Sequence, residues 1–177
     1  IALNMAYKGA TLLRNRKNLI PLKLKKDAKI LVLVTPETLG PMKGATEFYN
    51  EFKRRGYEVT YAPFSQFNAV KPVVESFDAV FLICNAQPIY SDYRGFNFAL
   101  WDFMAHRDMD RWIIVSTGSP YYLYDVASAN TYVNVYSDSK VSINAAVEAI
   151  FGEKPFLGRS PVGVEHCFQF GDGIITG

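Results

Sequence analysis

Apolar positions in this chain follow two patterns: short runs that are apolar at nearly every residue, and longer stretches that are apolar at every third or fourth. KILVLVT (29–35), DAVFLICNA (78–86) and RWIIVST (111–117) are of the first kind, as in strands covered on both faces. YEVTYA (57–62) alternates, and TYVNVYS (131–137) is a weaker strand. In ATEFYNEFKRRG, Ala45, Phe48, Tyr49 and Phe52 form an apolar stripe, basic residues fill the last turn and Gly56 supplies a left-handed stop, which predicts an amphipathic helix. KVSINAAVEAIFG (140–152) predicts another, closed by Gly152, and FNFALWDFMAH (96–106) is apolar nearly all round, as in a helix pressed between layers. Residues 1–14, with Leu3, Ala6, Ala10 and Leu13 near helical spacing, predict one leading helix that ends before Pro21, and AVKPVVESF predicts a short helical or irregular connection. Strands alternating with helices imply right-handed crossovers. The expected fold is α/β, a three-layer sandwich around a mostly parallel, doubly wound sheet, with ligands beyond the carboxyl ends of its strands.

Composition narrows the function classes. A net charge of +2 with 20% charged residues is neither a disordered profile nor the concentrated basic field of a nucleic-acid binder. No apolar run approaches the roughly 20 residues of a membrane span. Cys84 and Cys167 form no metal-ligand spacing, and Cys84 reads as a small buried hydrophobe. The chain begins at Ile1 without a signal-peptide pattern, so it is expected to be a piece of a longer product, its compartment open. The expected organisation is a single sandwich domain: residues 1–22 as leading helix and linker, 23–165 as core, and 166–177 as a tail.

The loops hold the candidate chemistry. TPETLGPMKGA, after the first long strand, has neither the G-x-G-x-x-G of a dinucleotide site nor the G-x-x-x-x-G-K-[ST] of a P-loop, so Gly40 and Gly44 read as turn residues. No cofactor or metal is implied. VSTGSPYYLYDV (115–126) has the Ser/Thr/Gly composition of a flavodoxin phosphate loop, but follows a late strand instead of the first. Ser119 before Pro120 also reads as an N-cap with proline at the first helical position, and backbone amides there are compatible with an anion. A nucleophilic serine would need G-x-S-x-G and a histidine partner; His106 and His166 read as surface or capped residues. Glu47 and Glu51, sharing a helix face with Lys43 and Arg54 or Arg55, read as a solvated charged stripe. Asp102, Asp108 and Asp110 cluster near a helix end. NAQPIYSDYRGFN is a long aromatic loop leaving a strand's carboxyl end, and Asp92, Tyr93 and Arg94 are its best candidates for contacts with a ligand or another domain. Asn85, which opens that loop, and Ser119, Tyr121 and Tyr122 complete the set of rim or interdomain candidates.

Three separated stretches resemble family 3 glycoside hydrolases. Thr11, Leu12, Leu13, Arg14, Asn15, Leu19, Pro21 and Leu22 match the T-L-L-K-N … L-P-L opening of that family's C-terminal domain, with arginine for lysine at position 14. TGSPYYLYDV followed by TYVNVY is similar to the Ser-Pro-Tyr corner and the strand after it in the β-N-acetylhexosaminidase-like branch. Gly152, Pro155, Gly158, Pro161 and Val162 match the closing pattern, in which Arg159 replaces lysine and Ser160 an aliphatic residue. The resemblance covers residues 2–165.

The resemblance implies an N-terminal (β/α)8 barrel that carries the nucleophilic aspartate, which this chain lacks. In β-glucosidase-like members an acid/base glutamate comes from the C-terminal domain, in the loop after the strand matching DAVFLICNA. Residues 85–101 contain no glutamate and one carboxylate, Asp92. The hexosaminidase-like branch instead places a histidine and aspartate pair on a barrel loop, and is the branch the resemblance favours. The implied role is a domain without catalytic residues that buttresses the barrel during retaining hydrolysis of N-acetylglucosamine-containing glycans such as peptidoglycan fragments. Two alternative readings fit the same residues: a stand-alone flavodoxin-like phosphate- or nucleotide-binding module, and a domain serving only in protein association.

Overall fold

A computed structural model describes residues 2–35, 43–63, 66–85 and 109–177. Six strands, β1 (Thr11–Asn15), β2 (Lys29–Thr35), β3 (Glu58–Pro63), β4 (Ala79–Cys84), β5 (Trp112–Ser116) and β6 (Thr131–Asn134), form one sheet in the order β1-β6-β5-β4-β2-β3. All neighbouring pairs are parallel except β1 with β6. The fold class is the expected one, α/β around a mostly parallel sheet. Within the parallel part, the first strand in the chain lies between the second and the third, so the winding reverses between β2 and β4. In such sheets that reversal opens a crevice at the carboxyl ends.

The continuous apolar runs arise because both faces are covered. Ile30, Val32, Val34, Phe81 and Ile83 pack on one side with Phe48 and Phe52 of α2 (Lys43–Arg54) and Ile143 and Val147 of a long C-terminal helix. Leu31, Leu33, Leu82 and Ile114 pack on the other with Phe67, Val74, Leu123 and Val126. Each fully buried side chain of this size contributes about 1.5–3 kcal/mol, and the rings of Phe52 and Phe81 lie 4.5 Å apart. The first side also holds α1 (Ala2–Gly9) against that helix; the second has α3 (Phe67–Val70) and two 3-10 helices, Lys71–Ser76 and Pro120–Tyr124. The C-terminal helix, α4 (Lys140–Ile150), starts at an N-cap in which Ser139 accepts from the Ser142 amide. After α2 and α4 the chain turns at Gly56 and Gly152, with φ of 88° and 74°, as their spacing predicts. At Gly152 a Cβ would also stand 2.6 Å from Pro21.

The N-terminus departs from expectation. The leading helix stops at Gly9, and Thr11–Asn15 forms an edge strand with a register shift between Leu12 and Arg14. Ala10 and Leu13 fit helical spacing, but Thr11 and Leu12 are both fully buried and lie on opposite faces, which only a strand achieves. The next turn is held by Asn15, whose Nδ2 donates to the Ile20 carbonyl at 2.8 Å while its Oδ1 accepts from the Ile20 amide. The weaker strand, β6, is buried along its whole length. The apolar stretch 96–106 lies outside the described residues.

Residues 158–174 fold back along β1 as a strap. The Gly158 amide donates to the Ala10 carbonyl at 3.1 Å and the Ile174 amide to the Leu12 carbonyl at 2.8 Å. A Cβ at Gly158 would stand 2.3 Å from the Ala10 oxygen, so only glycine fits. Both unusual residues of the closing pattern have partners here. Arg159 Nη1 donates to the Gly173 carbonyl at 2.8 Å, and buried Ser160 donates to the Val162 carbonyl and accepts from the Tyr136 hydroxyl.

Candidate functional site

At the carboxyl edge of the sheet, β4 leads into Asn85 and β5 into the Ser-Thr-Gly-Ser corner. The Thr117 amide donates to the Cys84 carbonyl at 2.9 Å, continuing the ladder past the strand, and its hydroxyl donates to Asn85 Oδ1 at 2.8 Å. Ser116 Oγ donates to the Ser119 carbonyl at 2.7 Å and accepts from the Gly118 amide. Ser119 Oγ accepts from the Tyr121 amide at 3.2 Å, the N-cap that Ser-Pro predicts, on a 3-10 helix. The Tyr132 hydroxyl donates to the Pro120 carbonyl. Gly44, in the first turn of α2, packs here as well: a Cβ there would lie 3.2 Å from Thr117 Cγ2 and 3.4 Å from Asp138 Cβ.

The hydrogen-bonded groups of the corner are neutral, its hydroxyls bond to the protein's own backbone and Asn85, and exposed Asp138 is the carboxylate beside it. The amides of Gly118 and Tyr121, which a phosphate would need, are bonded to serine hydroxyls. Ser119 acts as a cap, and no described histidine bonds to it. His166 is exposed on the strap, with Glu165 at 3.6 Å.

The sequence-predicted residues separate. Asn85 and Ser119 belong to the corner. Tyr121 is 41% exposed, whereas Tyr122 is turned the other way, 3% exposed within the core beside Leu123. Tyr122 is therefore not at this domain's surface. The surface partner of Tyr121 is Tyr124, 50% exposed, because side chains three apart eclipse on a 3-10 helix. That spacing was the available signal. Asp92, Tyr93 and Arg94 lie outside the described residues, as does His106.

Glu51 also departs from expectation. It is 6% exposed, accepting from Arg54 Nε at 2.9 Å and Arg55 Nε at 3.0 Å. Arg55 also donates to Glu153 at 2.9 Å and lies 4.8 Å over the Phe151 ring. The hydrogen bond from Arg54 holds the Glu51 carboxyl below its usual range, and that from Arg55 does the same for Glu153. Half-buried Asp125 is shifted upward by desolvation, as is the thiol of fully buried Cys84. Both cysteines are free. Among the described residues there is no group of three or more His, Cys, Asp or Glu placed to hold a metal ion, and no helix is long and apolar enough to cross a membrane.

No protein-family model matches the chain. A β-N-acetylglucosaminidase/β-glucosidase of Cellulomonas fimi is 40% identical over 50 residues, which are 28% of this chain and 9% of that protein. Among solved structures, a fungal multi-domain GH3 β-N-acetylglucosaminidase superposes with a TM-score of 0.73 at 20% identity, over 95% of this chain and 19% of its own. A family 3 β-N-acetylglucosaminidase from Paenibacillus sp. gives 0.67 at 17% identity, over 88% and 30%. The β-glucoside phosphorylase BglX gives 0.66 at 21%, over 91% and 30%. The chain thus spans under a third of each of these proteins. The fold is shared along nearly its whole length, which bears out the resemblance to family 3 glycoside hydrolases at the level of fold.

Proposed function

We propose that this chain is the C-terminal α/β sandwich of a family 3 glycoside hydrolase of the β-N-acetylhexosaminidase-like branch, without catalytic residues of its own. Its role is to buttress an N-terminal (β/α)8 barrel of the same polypeptide in the retaining hydrolysis of N-acetylglucosamine-containing glycans. The observation that carries the reading is coverage: nearly the whole chain superposes on a minor part of much longer glycosidases. Two features support it. The corner's hydroxyls are committed to the protein's own groups and Asp138 is the described carboxylate packed beside them, where retaining hydrolysis commonly uses two carboxylates about 5–5.5 Å apart. Met5, Leu157, Phe170, Ile174 and Ile175 are exposed apolar side chains of the kind a neighbouring domain covers.

In this reading the barrel supplies nucleophile and acid/base, and the domain holds one rim. Tyr121 and Asn85 stand on that rim; Asp92, Tyr93 and Arg94 are proposed for it on sequence grounds. The test compares the isolated chain with the same chain joined to its upstream coding sequence, using aryl N-acetylglucosaminide and aryl glucoside. The joined protein is expected to hydrolyse the N-acetylglucosaminide and the isolated chain neither substrate. Turnover by the isolated chain that survives repurification overturns the non-catalytic role, and a preference of the joined protein for the glucoside overturns the branch. In the joined protein, Tyr121→Ala is expected to weaken the domain contact and leave the chemical step unchanged.

A further inference from the structure

At the carboxyl end of β6, Asn134 is fully buried, yet neither its Nδ2 nor its Oδ1 has a hydrogen-bond partner. A buried amide without partners has lost its hydration with nothing in return, so the surroundings must offer it something. Its cross-strand neighbours are Ser116 on β5 and Thr11 on β1. Val133, Val115 and Leu12 belong to the core on one side of the sheet, while Tyr132 and Ile114 belong to the other. Strand alternation therefore places Thr11, Asn134 and Ser116 on the same face, in a row across three strands. All three are fully buried.

Both hydroxyls of the row already donate, Thr11 to the Gly9 carbonyl and Ser116 to the Ser119 carbonyl. Thr11 Oγ1 keeps its acceptor capacity, and Ser116 Oγ accepts at long range, 3.4 Å, from the Gly118 amide. Side-chain stems at paired positions stand about 4.5–5.5 Å apart, and serine, threonine and asparagine are short. Neither hydroxyl bonds the Asn134 amide directly. The strap lies over the Thr11 end of the row: a Cβ at Gly158 would be 2.4 Å from Thr11 Oγ1, and one at Gly173 would be 3.3 Å from Thr11 Cγ2.

We propose that Asn134 is the centre of an internal water site, in which ordered water bridges its amide to the hydroxyl of Ser116 on one side or of Thr11 on the other. Water matches the row because it both donates and accepts, as the amide requires, and fits between polar groups too far apart to bond directly. The row has no carboxylate or thiolate to attract a cation and no formal charge to attract an anion. The site ties β1 beneath the strap to the corner at 116–119. It does not depend on the enzymatic reading above.

The test is a high-resolution crystal structure of this chain, with the count of long-lived internal waters in solution by magnetic relaxation dispersion. A water within about 3.2 Å of an Asn134 amide atom and of Ser116 or Thr11 is expected. Asn134→Leu, nearly equal in volume, is expected to fold and to lose at least one long-lived water; Ser116→Ala, should the leucine variant not fold, is expected to move that water. A dry site, an Asn134 amide bonded directly to protein atoms, or an unchanged water count in the variant overturns the proposal.

Discussion

The two edges of the sheet are built from different chemistry. At the amino edge, charges meet charges: Arg55 joins Glu51 to Glu153, Lys17 lies 3.7 Å from Asp110, and Arg111 pairs with the Glu75 carboxylate while donating to the Phe77 carbonyl at 3.0 Å. Arg14 donates to the Ala127 carbonyl at 2.7 Å, and burial lowers its pKa. At the carboxyl-edge corner, Ser116 donates to the Ser119 carbonyl and Thr117 to Asn85, while Ser119 accepts from the Tyr121 amide. In doubly wound sheets, the carboxyl edge is where ligands bind. Ionisable groups gathered at the opposite edge therefore govern stability and its pH dependence. The corner governs the shape of the rim.

The contrast can be broken by substitution, most forcefully at Arg55. Arg55→Ala leaves Glu153 without its partner and buried Glu51 with Arg54 alone. Loss of these charge-assisted bonds is expected to cost about 1.5–3 kcal/mol in urea unfolding at pH 7. A loss smaller than that of a capping substitution at the corner would remove the distinction between the edges.

Acid titration sharpens the same point. The folded-state pKa values of Glu51 and Glu153 are depressed, so their stabilisation is complete above the unfolded value of about 4.3. It is lost as pH falls through the folded values. Asp125 has the opposite sign: its folded pKa is raised, so its contribution is complete below the unfolded value and is lost as pH rises through the folded one. Stability followed from pH 6 to pH 2 should fall for the parent chain, and fall less steeply for Arg55→Ala.

Ser119→Ala removes the cap and is expected to cost about 1 kcal/mol, a drop in melting temperature of roughly 2–4 °C for a chain of this size. The drop should be the same with and without phosphate. Tyr121→Ala and Tyr124→Ala, at exposed positions, are expected to stay within about 0.5 kcal/mol of the parent in the isolated chain. A larger loss would mean that the tyrosine pair belongs to the core.

Much of the fold is legible along the chain because it depends on local periodicity. A run such as KILVLVT has no polar position, so it must be covered twice; Gly56 and Gly152 follow apolar stripes at the place where a left-handed residue is needed. The Ser119 cap is equally local. The identity of β1 is not, since Thr11–Asn15 becomes a strand by pairing with β6, more than a hundred residues later. Glu51 reads the same whether Arg55 lies in water or over the Phe151 ring. Tyr121, Tyr122 and Tyr124 are one residue type until the 3-10 turn assigns their directions, and Ser160 looks out of place until Tyr136 and Val162 meet it.

By itself, then, the sequence determined the alternation of strands and helices, the positions of stops and caps, and a family resemblance carried by three ordered motifs. Each rests on interactions between residues a few positions apart. Tertiary structure alone decided which edge holds the charges, which tyrosine faces solvent, and that Asn134 lies buried between two hydroxyls. Those outcomes depend on which strands become neighbours, and that is set by the burial of both faces of the sheet together.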